Sequence, residues 1–212
     1  MNTDIDAVIF DFGGVLSSSV GDAMLSVMGS VGAPIEQLLP IMLGPLDEDG
    51  SHPWHRIERG EISAEAAFAE IIELGRQAGF ENFPAPPAGG DLMTSLAPGT
   101  EMIAAARTVR AAGFKTAILT NVFHEAHDWR LVCGADELVD VIVESCEVGM
   151  RKPDPAIYQY TLEQLGGIAP ERALFLDDFP WNITGARAAG LQTLHVADSP
   201  TAAGELLQRL AL

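Results

Sequence analysis

Five short apolar runs, and the reactive residues that end them, constrain this chain more than any other feature. The runs are Ala7-Val-Ile-Phe10, Thr116-Ala-Ile-Leu119, Val139 to Val143, Ala173-Leu-Phe-Leu176 and Thr193-Leu-His-Val196. Each has the length of a buried strand, and most are bounded by Asp, Asn or Gly. Between the last four lie segments with helical spacing. A helix also precedes them, with Thr100 as its expected N-cap, Met102, Ile103, Ala106 and Val109 as its apolar face and Gly113 as its stop. Asp154 followed by Pro155 opens another, which carries Ile157, Tyr158, Leu162 and Leu165 up to Gly166-Gly167. Strands alternating with helices predict an α/β fold, a parallel sheet with helices on both faces.

The first strand breaks this rhythm. About a hundred residues separate Asp11 from the second strand, far more than a crossover helix requires. They read as mostly helical, with an acidic Pro/Gly loop from Leu43 to Pro53 and a Pro/Gly-rich return linker from Gly79 to Gly99. The expected organisation is an α/β core built from residues 1–16 and 98–212, with residues 17–97 inserted as a helical cap over the mouth of the sheet.

The 212 residues are 48% hydrophobic, enough for one core and a small accessory lobe. They carry 30 acidic against 12 basic side chains, a formal charge of −18. This balance argues against nucleic acid and anionic membranes as partners, because both are bound through clustered Lys and Arg. No run approaches the roughly 20 apolar residues of a membrane span, and Asp4 and Asp6 interrupt any signal-like pattern. A cytoplasmic location is the expectation. Cys133 and Cys146 lie outside any CxxC spacing and are expected as packing residues.

In open parallel sheets, ligands bind beyond the carboxyl ends of the strands. There the sequence places Asp11-Phe12-Gly13-Gly14, Thr120-Asn121 and Asp177-Asp178, with Arg151-Lys152-Pro153 ahead of the Asp154 helix. Each alone reads as turn or cap chemistry. Together they are complementary. Two or three carboxylates at one edge repel one another unless a cation neutralises them, and oxygen ligands suit Mg²⁺. A hydroxyl, a backbone amide and an ammonium beside them suit a phosphate. Asp11 is already ionised at neutral pH, so it needs no activating base to act as a nucleophile. The set points to phosphoryl transfer through an aspartyl-phosphate.

Val8 to Leu16, Ile118 to Asn121, Glu147 to Pro155 and Phe175 to Asp178, with Asn182, Gly185 and Ala186, resemble the four motifs of the haloacid dehalogenase-like (HAD) hydrolase superfamily. The resemblance runs from residue 5 to 198 and implies a Rossmann-like core. Inside the insertion, Trp54 and Glu58-Arg-Gly-Glu-Ile-Ser63 resemble the cap of the branch that includes the phosphatase domain of soluble epoxide hydrolases. Ser63 reads equally as a helix N-cap. The resemblance implies Asp11 as nucleophile and metal ligand, and Thr120 with the Asn121 backbone amide as phosphate binders. Lys152 would neutralise nucleophile and phosphate. Asp178 and the Gly13 carbonyl would hold Mg²⁺, with Asp177 either ligating or orienting a bound water. The implied substrate is a small phosphorylated metabolite.

Most phosphatases of the superfamily carry a second Asp two residues after the nucleophile, where this chain has Gly13. That Asp supplies general acid and base help worth roughly 10²- to 10⁴-fold. Without it, a phosphatase is expected to favour leaving groups that need little protonation, such as anomeric, acyl or aryl phosphates. His124 and His127 are candidate substitutes, and also read as decoration of a surface helix. Two alternatives stand beside this reading. A 2-haloacid dehalogenase also lacks the second Asp and works through an ester of Asp11 without Mg²⁺. A catalytically weak module that captures a phospho-ligand is the other, although binding alone requires no nucleophile.

Of the insertion's apolar residues, Met24, Leu25, Val27, Met28, Leu38, Leu39, Ile41 and Met42 are expected mostly as the packing face of its helices. Trp54, His55 and Arg56 are candidates to receive a polar or anionic substrate tail, and Phe179 and Trp181 to wall the entrance. Gly185, Ala186, Ala188, Ala189 and Gly190 suit close helix-to-sheet packing inside one subunit, which leaves the oligomeric state open.

Overall fold

The computed structural model of the protein describes residues 4–21, 29, 32–84, 96–126 and 128–212. Every residue of the first apolar run is fully buried, so that run forms the middle of a sheet. β1 (Ala7–Phe10) pairs in parallel with β2 (Lys115–Thr120) on one side and β4 (Ala173–Asp177) on the other. β3 (Val141–Glu144) adds beyond β2, and β5 (Gln192–His195) beyond β4, both in parallel. The order β3-β2-β1-β4-β5 reverses direction at β1, where open sheets form a crevice at their carboxyl edge. The third run pairs from Val141 rather than Val139, because Val139 closes a short preceding helix.

The helices are α1 (Ile35–Met42), α2 (Pro53–Glu58), α3 (Ala64–Gln77), α4 (Thr100–Ala111), α5 (Trp129–Cys133), α6 (Ala135–Leu138), α7 (Ser145–Val148), α8 (Pro155–Gln164), α9 (Pro180–Ala188) and α10 (Ser199–Leu210). Alternate strand residues face opposite sides of the sheet. Val8, Phe10, Ile118 and Leu174 pack with Met102 and Val109 of α4 and Leu206 of α10. Ala7, Ile9, Leu119 and Phe175 pack with Ile157 and Tyr158 of α8 and Ile183 of α9. Leu38 and Met42 of α1, Ile57 of α2 and Ile71 of α3 join the first of these clusters, so the inserted helices share a core with one face of the sheet. The ends of the insertion meet in an antiparallel bridge between Ser17 and Pro98. The Ser18 N–H donates to Ala97 O (2.8 Å) and the Gly99 N–H to Leu16 O (2.9 Å). Met24, Leu25, Val27 and Met28 lie outside the described residues.

Ser63 caps α3 by accepting from the Ala66 N–H, and Asp154 caps α8 by accepting from the Ala156 N–H at 2.8 Å. Thr100 departs from expectation. Gly99 occupies the cap position of α4, and Thr100 is its first helical residue. The Thr100 hydroxyl, on a helical residue, is not placed to cap and donates to the Glu101 carboxylate at 2.8 Å. Cys133 and Cys146 are buried and unbridged, with burial pushing their thiols up to about 11 and about 12. Among the described residues, no helix is long and apolar enough to cross a membrane.

A Cβ on Gly185 would lie 2.5 Å from Pro153 O, so the bare α carbon lets α9 touch the backbone that carries Lys152. Gly185→Ala is therefore expected to cost roughly 1–3 kcal/mol by overpacking. It should appear as a lower urea midpoint at unchanged slope; an unchanged midpoint would show that the turn yields freely. Ser63→Ala, which removes only a cap, should cost about 1 kcal/mol in the same measurement.

Candidate active site

β1, β2 and β4 end side by side, and each delivers a polar residue to the same edge. Asp11 follows β1, Thr120 closes β2 and Asp177 closes β4. All three side chains are buried, as is Lys152, which is only 1% exposed. The Lys152 ammonium lies 2.7 Å from Asp11 Oδ1 and 2.7 Å from Asp177 Oδ2. Burial pulls the Lys152 pKa down, but the Asp11 and Asp177 charges more than offset it and hold the group above its ordinary value.

The two neighbouring carboxylates of the Asp177-Asp178 pair have opposite fates. Asp177 Oδ2 accepts from Lys152 and from Asn182 Nδ2 (3.1 Å); Oδ1 accepts from the Phe179 N–H (2.8 Å) and from the same amide (3.1 Å). That occupies the roughly four acceptor positions of a carboxylate. Asp178 Oδ1, in contrast, is buried without a hydrogen-bond partner. Burial pushes the Asp178 carboxyl up to about 8, with the Asp11 and Asp177 charges adding to the effect. Burial likewise pushes Asp11 up to about 7, against the pull of Lys152. Oxygens of Asp11, Asp177 and Asp178 lie within 4.8 Å of one another. Three carboxylates set against one ammonium, with one oxygen orphaned, fit a hard divalent cation.

The remaining motif residues hold this arrangement in place. The Asn121 side chain pairs with the backbone of Lys152, Oδ1 accepting from its N–H (2.9 Å) and Nδ2 donating to its carbonyl (3.0 Å). Ser145 Oγ accepts from the Val122 N–H (2.9 Å) and donates to Val122 O (3.0 Å), which secures the loop after Asn121. Gly14 has φ +73°, and a Cβ there would collide with the Asp178 carboxylate. Both the backbone conformation and the close approach require glycine.

A cavity of about 320 Å³ opens at this edge, reached by Asp11, Gly13, Thr120, Asn121 and Lys152. Phe179 and Trp181 line it as a stacked pair, 4.6 Å between ring centroids. Trp54 also lines it, but His55 and Arg56 do not. His55 is buried, its Nδ1 accepting from the Gly50 N–H (3.0 Å), and burial together with the Arg151 charge pushes it down to about 4. Arg56 pairs with Glu70 at 2.9 Å. Successive helical residues project in different directions, so three in a row cannot share a wall; the residue that shares the Trp54 face lies four further on. That residue is Glu58, whose pairing has no local signal in the sequence. It accepts from Trp54 Nε1 (3.0 Å) and from Arg151 Nε (2.7 Å), joining the insertion to the neighbour of Lys152 across 93 positions of sequence. His124 is exposed, with Nδ1 3.1 Å from Glu147 Oε1, and is not among the cavity residues. His127 lies outside the described residues.

The chain is 35% identical over 131 residues to bifunctional epoxide hydrolase 2 of Rattus norvegicus, a match covering 59% of this chain and 24% of that protein. It spans about a quarter or less of the length of the mammalian relatives it matches. It is 29% identical over 214 residues to the sesquiterpene phosphatase astK of Aspergillus oryzae, covering 98% of each. A crystal structure of a dehalogenase shares the fold over 100% of both chains, with a TM-score of 0.67 at 20% identity. The family model for haloacid dehalogenase-like hydrolases matches residues 5–190. That stretch begins before β1, ends just after α9 and encloses Asp11, Lys152 and Asp177, and the chain belongs to the haloacid dehalogenase-like hydrolases.

Proposed function

We propose that the chain is an Mg²⁺-dependent phosphatase of a small phosphorylated metabolite, with Asp11 as the nucleophile. The observation that carries this reading is the charge imbalance: three carboxylates gather together, one ammonium pairs with two of them, and Asp178 keeps a buried oxygen without a partner. A dehalogenase that works without a metal has no use for that oxygen. The fungal relative matched along nearly its whole length bears the name of a phosphatase, which supports the same choice.

Asp11, Asp178 and the Gly13 carbonyl would hold the ion, which when bound neutralises carboxylate and phosphate charge. Asp177, its acceptor positions already taken, serves to position Lys152. Asp11 attacks phosphorus as the ester P–O bond breaks, and water then cleaves the aspartyl-phosphate. Thr120 and the Asn121 backbone amide bind the phosphate oxygens, and Lys152 offsets their charge. Residues 17–97 act as the cap, since Leu39, Trp54 and Glu58 complete the cavity wall, and exclude water from the reacting centre.

Hydrolysis of 4-nitrophenyl phosphate tests this directly. Asp11→Asn should lower kcat by roughly 10³-fold or more at unchanged secondary structure. Equal background rates in both proteins would favour a module that binds phospho-ligands without turnover. Chelation should abolish turnover by the wild type, and added Mg²⁺ should restore it. Halide release from a 2-haloacid that is indifferent to chelation would overturn the phosphatase reading in favour of dehalogenation.

A further inference from the structure

The space that a general acid needs beside Asp11 is filled with hydrocarbon. A Cβ on Gly13 would lie 2.8 Å from Val20 Cγ2 and 3.5 Å from Val20 Cβ. A side chain at position 13 would force Val20 to shift. Val20 also lines the cavity, and Leu39, Leu43, Trp54, Phe123 and Phe179 continue its apolar wall.

The ionic groups that reach the cavity neutralise one another. Arg151 is held by Glu58 at 2.7 Å, and Lys152 by Asp11 and Asp177. Among the described lining residues, no cation is left for a second anionic group on the substrate. Among the described lining residues, no imidazole and no uncommitted carboxyl is left to protonate a leaving group either. The lining carboxyls are Asp11, which must attack, and Glu58, which is engaged by Arg151 and Trp54.

Building on the phosphatase reading above, we propose that the substrate is the phosphate monoester of an uncharged, apolar group whose oxygen departs as a stabilised oxyanion, an aryl phosphate being the simplest case. In the first step, an Asp11 oxygen bonds to phosphorus while the P–O bond to the leaving group breaks. The electron pair of that bond stays on the departing oxygen. A phenolate, whose conjugate acid has a pKa near ~10, carries the pair without a proton and takes one from water after release. An alkoxide, close to the ~16 of water itself, needs the proton as the bond breaks. Alkyl esters therefore forfeit the roughly 10²- to 10⁴-fold that a general acid supplies. Anomeric sugar phosphates, although chemically able to leave, would set their hydroxyls against the apolar side chains of Val20, Leu39, Leu43 and Phe123.

The test is a series of ring-substituted phenyl phosphates with leaving-group pKa from about 5 to about 10, together with benzyl phosphate, an alkyl ester of nearly the same size. The quantity to compare is kcat/KM with Mg²⁺ present, because it reports the step that releases the leaving group even if hydrolysis of the phospho-enzyme limits kcat. The expected result is a steep fall with rising leaving-group pKa, and benzyl phosphate about 10²-fold or more below phenyl phosphate. A 4-carboxyphenyl ester should show a KM roughly tenfold above that of its 4-propyl counterpart. Equal kcat/KM for phenyl and benzyl phosphate would overturn the proposal and leave the phosphatase reading standing. Failure to hydrolyse even 4-nitrophenyl phosphate would overturn both. The double variant Gly13→Asp with Val20→Ala makes room for an acid, and should raise the benzyl-to-phenyl ratio roughly tenfold or more. An unchanged ratio in a double variant with the wild-type circular dichroism spectrum would count against Val20 as the obstruction.

Discussion

A buried ammonium 2.7 Å from two buried carboxylates is the contact on which the site depends. A lysine this deep in the protein stays charged only because Asp11 and Asp177 compensate its lost hydration, and removing one partner of such a pair typically costs about 3–5 kcal/mol. The surrounding residues serve that contact. Asn121 clamps the lysine backbone on both sides, Asn182 and the Phe179 N–H occupy the acceptor positions Asp177 has left, and Gly185 lets α9 approach the following proline. Asp178 Oδ1 is left without a partner, as is Asn182 Oδ1 beside it, and of the two only Asp178 brings a carboxyl. Burial of charge without full compensation is expensive everywhere except where a ligand completes it, and this is why the imbalance has functional meaning.

The cavity above this contact owes its character to a second buried ion pair. Glu58 and Arg151 come from the insertion and from the core, and they satisfy each other at 2.7 Å with Trp54 as a further donor. These two charged residues line the cavity but neutralise each other, and the rest of what a ligand meets is largely aromatic and aliphatic. The same pair ties the inserted helices to the residue that precedes Lys152, so the wall of the cavity and the position of the ammonium are mechanically linked. Val20 adds to this environment, its methyl lying 2.8 Å from where a Cβ on residue 13 would stand.

Much of the fold was legible because its signals are local. A buried strand of a parallel sheet needs apolar residues on both faces, so each of the five runs reads directly as a strand. Ser63 and Asp154 cap helices through bonds that span only two or three residues. Where the exact start or rotation of a helix decides, local reading fails. Thr100 bonds to the adjacent Glu101 rather than to its helix amides, and His55 and Arg56 turn away from the cavity that Trp54 faces because α2 rotates between them.

By itself the sequence determined which residues stand at the carboxyl edge of the sheet. Parallel strands all end at the same side of their sheet, so Asp11, Thr120 and Asp177 had to assemble there once the strands were recognised. What those residues do with one another was decided only by the tertiary structure. The saturation of Asp177, the orphaned oxygen of Asp178, the collision that reserves position 14 for glycine and the union of Glu58 with Arg151 all depend on distances between segments remote in the chain. Hydrogen-bond capacity and excluded volume act over a few ångströms in space and leave no periodic mark in sequence. The absence of an acid at Gly13 was visible in the sequence; that Val20 packs over its α carbon was not.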